Sequence, residues 1–94
     1  MYTVYILHSE KLNKFYVGFT HDLKQRMKFH KLRLSGKFTS TTEDWIVYFT
    51  IICESKRQAL DIEKHIKQMK SSRYIKNLTK YPEISRRLLE KYVK

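Results

Sequence analysis

The side chains best suited to chemistry in this sequence are a tyrosine, an arginine and a histidine within residues 15–30. Tyr16 stands in an aromatic and β-branched run, typical of a half-buried strand, two residues before Gly18. A glycine inside a strand often marks close approach by a ligand or by another stretch of backbone. Arg26 and His30 are four residues apart in the helical pattern that follows, so they lie on one helix face. We therefore expect a phenol, a guanidinium and an imidazole to converge beside the glycine.

Glu63 is the most informative acidic residue. It lies between Ile62 and Ile66 in a helical pattern, so its side chain points at or beside the buried face. A carboxylate there must be paired, protonated or bound to a metal, because an isolated buried charge is very costly. Two interpretations stay open, an ion pair with Lys67 four residues later and a ligand to a metal ion.

The composition indicates one small and strongly basic domain, residues 1–94. The chain has 20 Lys and Arg against 9 Asp and Glu, a formal net charge of +11. This length allows a single core, and 41% hydrophobic residues exclude a disordered tail. The charge favours a polyanionic partner, with nucleic acid ahead of an anionic membrane surface and an acidic protein.

The single cysteine and the lack of long apolar segments limit the classes further. Cys53 cannot form an internal disulfide or a thiolate zinc site, which fits a reducing compartment, and its isoleucine neighbours predict a buried, inert thiol. No segment has the length of a membrane span, and the N-terminal residues lack the features of a secretion signal. We expect a cytoplasmic protein without a membrane partner.

A β-hairpin and a helix must position the first three side chains. Residues 2–8 predict a strand, and the polar residues 9–14 return the chain to a second, antiparallel strand. Tyr5 and Tyr16 then lie on neighbouring strands.

The first helix is predicted over residues 20–34. Thr20 is its expected N-cap, Asp22 lies in its first turn, and Gly36 is the expected C-terminal cap. Residues 37–44 are rich in hydroxyls and predict a loop.

The second half of the chain predicts one strand and a set of helices. Residues 45–53 are almost uniformly apolar, which favours a central strand covered on both faces. Ser55 with Gln58 forms a capping box for a helix that continues through Lys70. A short helix over residues 73–78 is expected next. The predicted buried stripe of the long helix is Ala59, Ile62, Ile66 and Met69.

The last helix starts with Pro82 at its first position and runs to about Tyr92. Its predicted buried residues are Ile84, Leu88 and Leu89. The order β-β-α-β-α-α predicts an α/β (α+β) fold, with a three-stranded antiparallel central sheet flanked by helices.

The order and spacing of five positions resemble the GIY-YIG nuclease domain. The resemblance covers residues 1–78, leaves residues 79–94 as a C-terminal helix, and is nearest to small stand-alone members similar to excision-repair endonucleases. It implies an α/β sandwich and metal-dependent phosphodiester hydrolysis. The first motif departs from the strict form, because it reads Val-Tyr-Ile rather than Gly-Ile-Tyr. The five positions are Tyr5, Tyr16 in Tyr-Val-Gly, Arg26, His30 and Glu63.

The resemblance implies a role for each of these positions. Tyr5 and Tyr16 correspond to the tyrosines of the two motifs, one or both of which help to activate the attacking water. His30 corresponds to a histidine that assists proton transfer, and Arg26 to an arginine beside the scissile phosphate. Glu63 corresponds to the carboxylate that binds a divalent metal, Mg²⁺ or Mn²⁺.

These roles are chemically reasonable for hydrolysis of a phosphodiester. A tyrosine with a pKa of about 10 is phenolate in only about one molecule in a thousand at neutral pH, so it needs a nearby cation or a proton acceptor such as His30. A single carboxylate suits Mg²⁺, which keeps most of its water ligands.

The sequence thus predicts a metal-dependent endonuclease that acts on DNA, in repair or recombination, with a protein partner for targeting. The alternative is a catalytically weak nucleic-acid-binding module of the same fold, and a third possibility is a protein that binds RNA or ribosomes without any metal effect. The side chains predicted to hold the phosphate backbone are Lys24, Lys28, Lys31, Lys64, Lys67, Lys70 and Arg73.

Overall fold

The computed structural model describes residues 1–32 and 44–92, and the side chains of residues 1–28 and 44–92. The predicted end of the first helix at Leu34, its cap Gly36 and most of the predicted loop lie outside the described residues. Within the described residues the elements are β1 (Tyr2–Ser9), β2 (Lys14–Thr20), α1 (Leu23–Leu32), β3 (Ile46–Cys53), α2 (Lys56–Met69), α3 (Ser72–Lys80) and α4 (Pro82–Lys91).

The three strands form one antiparallel sheet in the order β2-β1-β3, which confirms the predicted fold class. The prediction that residues 45–53 form the central strand is wrong, because β1 lies between the other two. β3 is an edge strand with exposed side chains, among them Ile46 (60%) and Ile52 (54%). An apolar segment indicates that its side chains are hydrophobic, but it does not indicate whether the strand pairs with one neighbouring strand or with two.

The sheet is covered on both faces, and the alternation of side chains along β1 divides the core into two clusters. Val4 and Ile6 point to one face, where they join buried residues of α2, α3 and α4. Tyr5 and Leu7 point to the other face, where Leu23 and Met27 of α1 pack against their cluster. Tyr5 is therefore held in a packed core close to the helix that carries Arg26.

The start of α1 differs from the prediction by two residues. Asp22 is the cap, since its Oδ1 accepts a hydrogen bond from the Gln25 amide (3.1 Å) and its carbonyl accepts from the Arg26 amide (3.0 Å). The predicted cap, Thr20, instead accepts from the Asp22 amide through its Oγ1 (3.1 Å). The helix thus begins at Leu23, and Arg26 lies in its first turn.

The caps of α2 and α4 are as predicted. The Ser55 hydroxyl accepts from the Gln58 amide (3.1 Å), and Pro82 opens α4. The Gln58 side chain is buried, where it accepts from the Glu54 amide (2.8 Å) and donates to the Leu89 carbonyl (3.1 Å). The second of these hydrogen bonds ties α2 to α4.

One residue of the predicted stripe on α2 is not buried. Met69 is 44% exposed, because the helix ends there and Lys70 adopts a left-handed conformation that turns the chain away. Cys53 is fully buried, and burial raises the pKa of its thiol, as expected for an inert cysteine. Among residues 1–32 and 44–92, no helix combines the length and apolar character needed to cross a membrane.

Candidate active site

A cleft of about 570 Å³ opens beside the edge strand β2. Four elements line it: β1 contributes Tyr5, β2 contributes Tyr16 and Gly18, α1 contributes Arg26 and α2 contributes Glu63. Four of the five predicted catalytic side chains therefore meet at one place, although up to 58 residues of sequence separate them.

The fifth, His30, lies in α1 four residues after Arg26, so both start from the same side of the helix. The side chain of His30 is outside the described residues, and so is that of Lys31. Their predicted roles stay predictions.

Gly18 is needed because Tyr5 lies directly over it. The two residues are opposite each other in the β1–β2 pairing. A Cβ atom on Gly18 would lie 2.7 Å from the Tyr5 hydroxyl oxygen and 2.8 Å from its Cζ, which is closer than real Cβ contacts. Gly18 does not have a positive φ, so the glycine serves to leave room for the phenol ring.

The Tyr5 ring also lies near that of Tyr16, with centroids 6.4 Å apart and planes inclined by 37°. Burial raises the pKa of Tyr5 from its usual 10 to about 12, the phenol of Tyr16 and the carboxylate of Glu63 also raise it, and the guanidinium of Arg26 lowers it. With that pKa, only about one molecule in 10⁵ carries a Tyr5 phenolate at neutral pH. Tyr5 is therefore a protonated phenol at neutral pH.

The structure shows the first of the two interpretations of Glu63, the ion pair with Lys67, and its role as a metal ligand stays a prediction. Its side chain is 13% exposed and forms an ion pair with Lys67, with 3.0 Å between Oε2 and Nζ, and it also lines the cleft. Lys67 is 52% exposed, and helical ion pairs of this kind contribute only about 0.3–0.5 kcal/mol. A divalent cation can therefore replace Lys67 as the partner of this carboxylate, because the charge of Glu63 stays compensated.

The donor set around Glu63 fits a hydrated divalent cation. No cluster of three or more His, Cys, Asp or Glu side chains occurs in the described part of the chain. A second carboxylate, Asp22, lines the same cleft, although its Oδ1 already caps α1. One or two carboxylates with an anionic substrate are a usual environment for Mg²⁺, so Glu63 is the side chain that would hold it.

Several polar residues of the cleft were missed by the sequence analysis. Lys56 is the clearest of them, because it opens α2 seven residues before Glu63 and lines the same cleft. Two helical turns separate the two residues, so a search for charged residues on the same helix face as Glu63 would have found Lys56. His21 and Gln25 also line the cleft, at the junction of β2 with α1.

None of the predicted phosphate-binding side chains that the structure describes lines the cleft. Lys67 and Lys70 line a second groove of about 390 Å³ between β2, the end of α2 and the start of α3, here called the middle groove. Arg73 lines a third of about 470 Å³, between Tyr48 of β3 and one face of α3, here called the α3 groove. The others that are described, Lys24, Lys28 and Lys64, line none of the three.

Comparison with known proteins gives one family and no individual relative. No curated protein and no solved structure matches the chain significantly. Residues 1–78 match the family model of the GIY-YIG catalytic domain, which is most of the 94-residue chain and includes every element that lines the cleft. The chain therefore belongs to the GIY-YIG family of nucleases.

Proposed function

We propose that this protein is a metal-dependent endonuclease that hydrolyses phosphodiester bonds in DNA, in repair or recombination. The observation that supports this most directly is that Tyr5, Tyr16, Arg26 and Glu63 line one cleft. Phenol, guanidinium and carboxylate groups together can position water, bind a phosphate and hold a cation. Neither the middle groove nor the α3 groove combines a phenol, a guanidinium and a carboxylate.

Arg26 is the proposed phosphate ligand. Its guanidinium is always charged and presents paired donors that match two phosphoryl oxygens. Negative charge on those oxygens grows as water attacks, and a fixed cation stabilises it without reorganisation. Lys56, at the start of α2 in the same cleft, adds a second positive charge beside the substrate.

The two tyrosines are the proposed ligands of the attacking water. The ring of Tyr5 is buried in the core and packs directly against Gly18, so its hydroxyl has a defined position. The phenol accepts a hydrogen bond from water, and only its phenolate form, which a lower pKa would favour, can take a proton from that water. We assign to His30, on the same face of α1 as Arg26, the onward transfer of that proton.

Glu63 is the proposed holder of Mg²⁺ or Mn²⁺. Such a cation, when bound, acts as a Lewis acid that stabilises the leaving oxygen and offsets the effect of the Glu63 carboxylate on the pKa of Tyr5. With a cation on Glu63, Lys67 would be available to contact phosphate. In the present structure Lys67 compensates the charge of the Glu63 carboxylate.

The Glu63–Lys67 ion pair also favours a second candidate, a DNA-binding module of the same fold without useful turnover. In that case the carboxylate serves only as the partner of Lys67. The two candidates differ in whether binding is followed by cleavage.

Cleavage of labelled single-stranded, duplex, flap and junction DNAs with Mg²⁺ or Mn²⁺ separates them. We expect metal-dependent cutting that falls about 10³-fold or more in Glu63→Gln, because metal catalysis contributes several kcal/mol. The matched control is Asp61→Asn, which removes an acid from the same helix with its own partner Arg57 at 3.4 Å. This control should keep its activity within about twofold.

Retained cutting by Glu63→Gln would contradict the site assignment. DNA binding by the wild-type protein without cutting of any substrate, with either metal, would instead support the binding module.

A further inference from the structure

The cleft, the middle groove and the α3 groove are consecutive neighbours on the surface, because each adjacent pair shares a lining residue. Tyr16 lines both the cleft and the middle groove. Ser72 lines both the middle groove and the α3 groove. The three depressions therefore follow one another past the end of α2 and the start of α3, in the order in which a chain that extends from the cleft would meet them.

The segment that lines the middle groove and the α3 groove contains positively charged residues and no acidic ones. Residues 64–82 contain six Lys or Arg and no Asp or Glu, and five of the cations recur at every third position from 64 to 76. The break between α2 and α3 separates these cations into two sets. Lys67 and Lys70, before the break, line the middle groove, and the cations of α3 line the α3 groove. Those later cations are Arg73, Lys76 and Lys80. The path thus offers positive charge along its whole length.

The floor of the path is apolar and aromatic. In the middle groove it includes Phe15, Val17 and Ile75, the last two nearly fully buried. In the α3 groove it includes the half-buried ring of Tyr48, which is held by contacts with Phe15 (centroids 5.0 Å apart) and His8 (5.8 Å). A duplex keeps its base faces stacked inside the helix, whereas a single strand presents base faces that can stack on aromatic rings.

We propose that the middle groove and the α3 groove bind a single DNA strand that continues from the cleft, with phosphates on the lysines and bases on the aromatic floor. That the bound strand continues into the cleft rests on the nuclease function proposed above. Binding of the strand in the two grooves does not depend on that function. The substrate class is therefore DNA with a single-stranded segment next to the cleaved bond.

Fluorescence anisotropy of a labelled oligothymidylate of about 20 nucleotides tests the proposal, with a chelator present so that no cleavage occurs. The test variant is Lys76→Gln/Lys80→Gln in the full chain. The matched control is Arg86→Gln/Arg87→Gln, which removes the same charge from exposed positions of α4 outside the three grooves. We expect about tenfold weaker binding by the test variant and a slope of log K against log salt reduced by about 1.4, against less than twofold for the control.

A second variant tests whether the bound DNA is single-stranded or duplex. Tyr48→Leu should weaken binding of the oligothymidylate about tenfold, through loss of base stacking, and binding of a blunt duplex less than twofold. If Tyr48→Leu does not fold, as shown by circular dichroism, the lysine pair is measured on both DNAs and should affect the single strand more.

Equal effects of the test and control pairs would overturn the proposed path. Equal effects on single strand and duplex would overturn the single-strand assignment. Because these measurements exclude cleavage, a wild-type protein that binds as expected but never cuts DNA contradicts the proposed function and leaves this proposal standing.

Discussion

The cleft and the α3 groove are lined by different strands of the sheet and differ in one chemical respect. Each is lined by cations and at least one tyrosine, but only the cleft contains carboxylates, those of Glu63 and Asp22. Cations alone can bind a phosphate. A carboxylate among them can also hold a divalent cation, so the cleft is equipped for hydrolysis and the α3 groove only for binding.

The two depressions also differ in how they are built. The cleft requires residues from β1, β2, α1 and α2, whereas one face of α3 supplies all of the α3 groove except Tyr48. Substitutions in the cleft should therefore disturb turnover and packing together. Substitutions in the α3 groove should disturb affinity.

The largest expected difference is between two arginines, one in each depression. Arg26→Gln should lower kcat about 10²-fold, because it removes the donors that meet the growing phosphoryl charge. Arg73→Gln should raise KM about two- to fivefold through loss of one phosphate contact. Steady-state cleavage of a DNA that the wild-type protein cuts measures both. Losses of similar size, both in KM, would show that Arg26 is merely another binding residue.

The packing of the cleft gives a stability prediction of intermediate size. Gly18→Ala should lower the free energy of unfolding by about 1–3 kcal/mol, because the new Cβ cannot lie 2.7 Å from the Tyr5 hydroxyl without a shift of the buried ring. Urea unfolding measures the loss.

The double variant Gly18→Ala/Tyr5→Leu is the control for this contact. It should be less destabilised than the sum of the two single variants, since leucine lacks both of the close atoms, the hydroxyl oxygen and Cζ. Strict additivity would mean that the contact between the two residues is not the cause.

The smallest expected effect is on the pKa of Tyr5. In the metal-free protein this pKa is about 12, so the phenol stays protonated as the pH rises through 10 and ionises only well above it. Glu63→Gln removes a negative charge and should lower the pKa, whereas Arg26→Gln removes a positive charge and should raise it. Ultraviolet absorbance of phenolate, after subtraction of the same titration with Tyr5→Phe, measures the shifts. A shift of either variant in the opposite direction would contradict the electrostatic description of the cleft.

Much of the local structure and most of the site could be predicted from residue patterns. The hairpin, the Ser55 cap, the Pro82 helix start and the membership of four residues in one site all follow from short-range signals or from motif spacing. The hydroxyl at Thr20 was a misleading signal, because Asp22 also qualifies as a cap and only the direction of the chain leaving β2 decides between them.

The sequence by itself determined which residues form strands and helices, since periodicity and capping act within a few residues of each other. Only the tertiary structure decided that β1 rather than β3 is central, that Met69 is exposed, and that the predicted lysines that are described lie outside the cleft. The physical reason is that burial and proximity depend on which strands pair with each other and on where a helix ends. Those choices are made by contacts between distant segments, and no local pattern in the chain reports them.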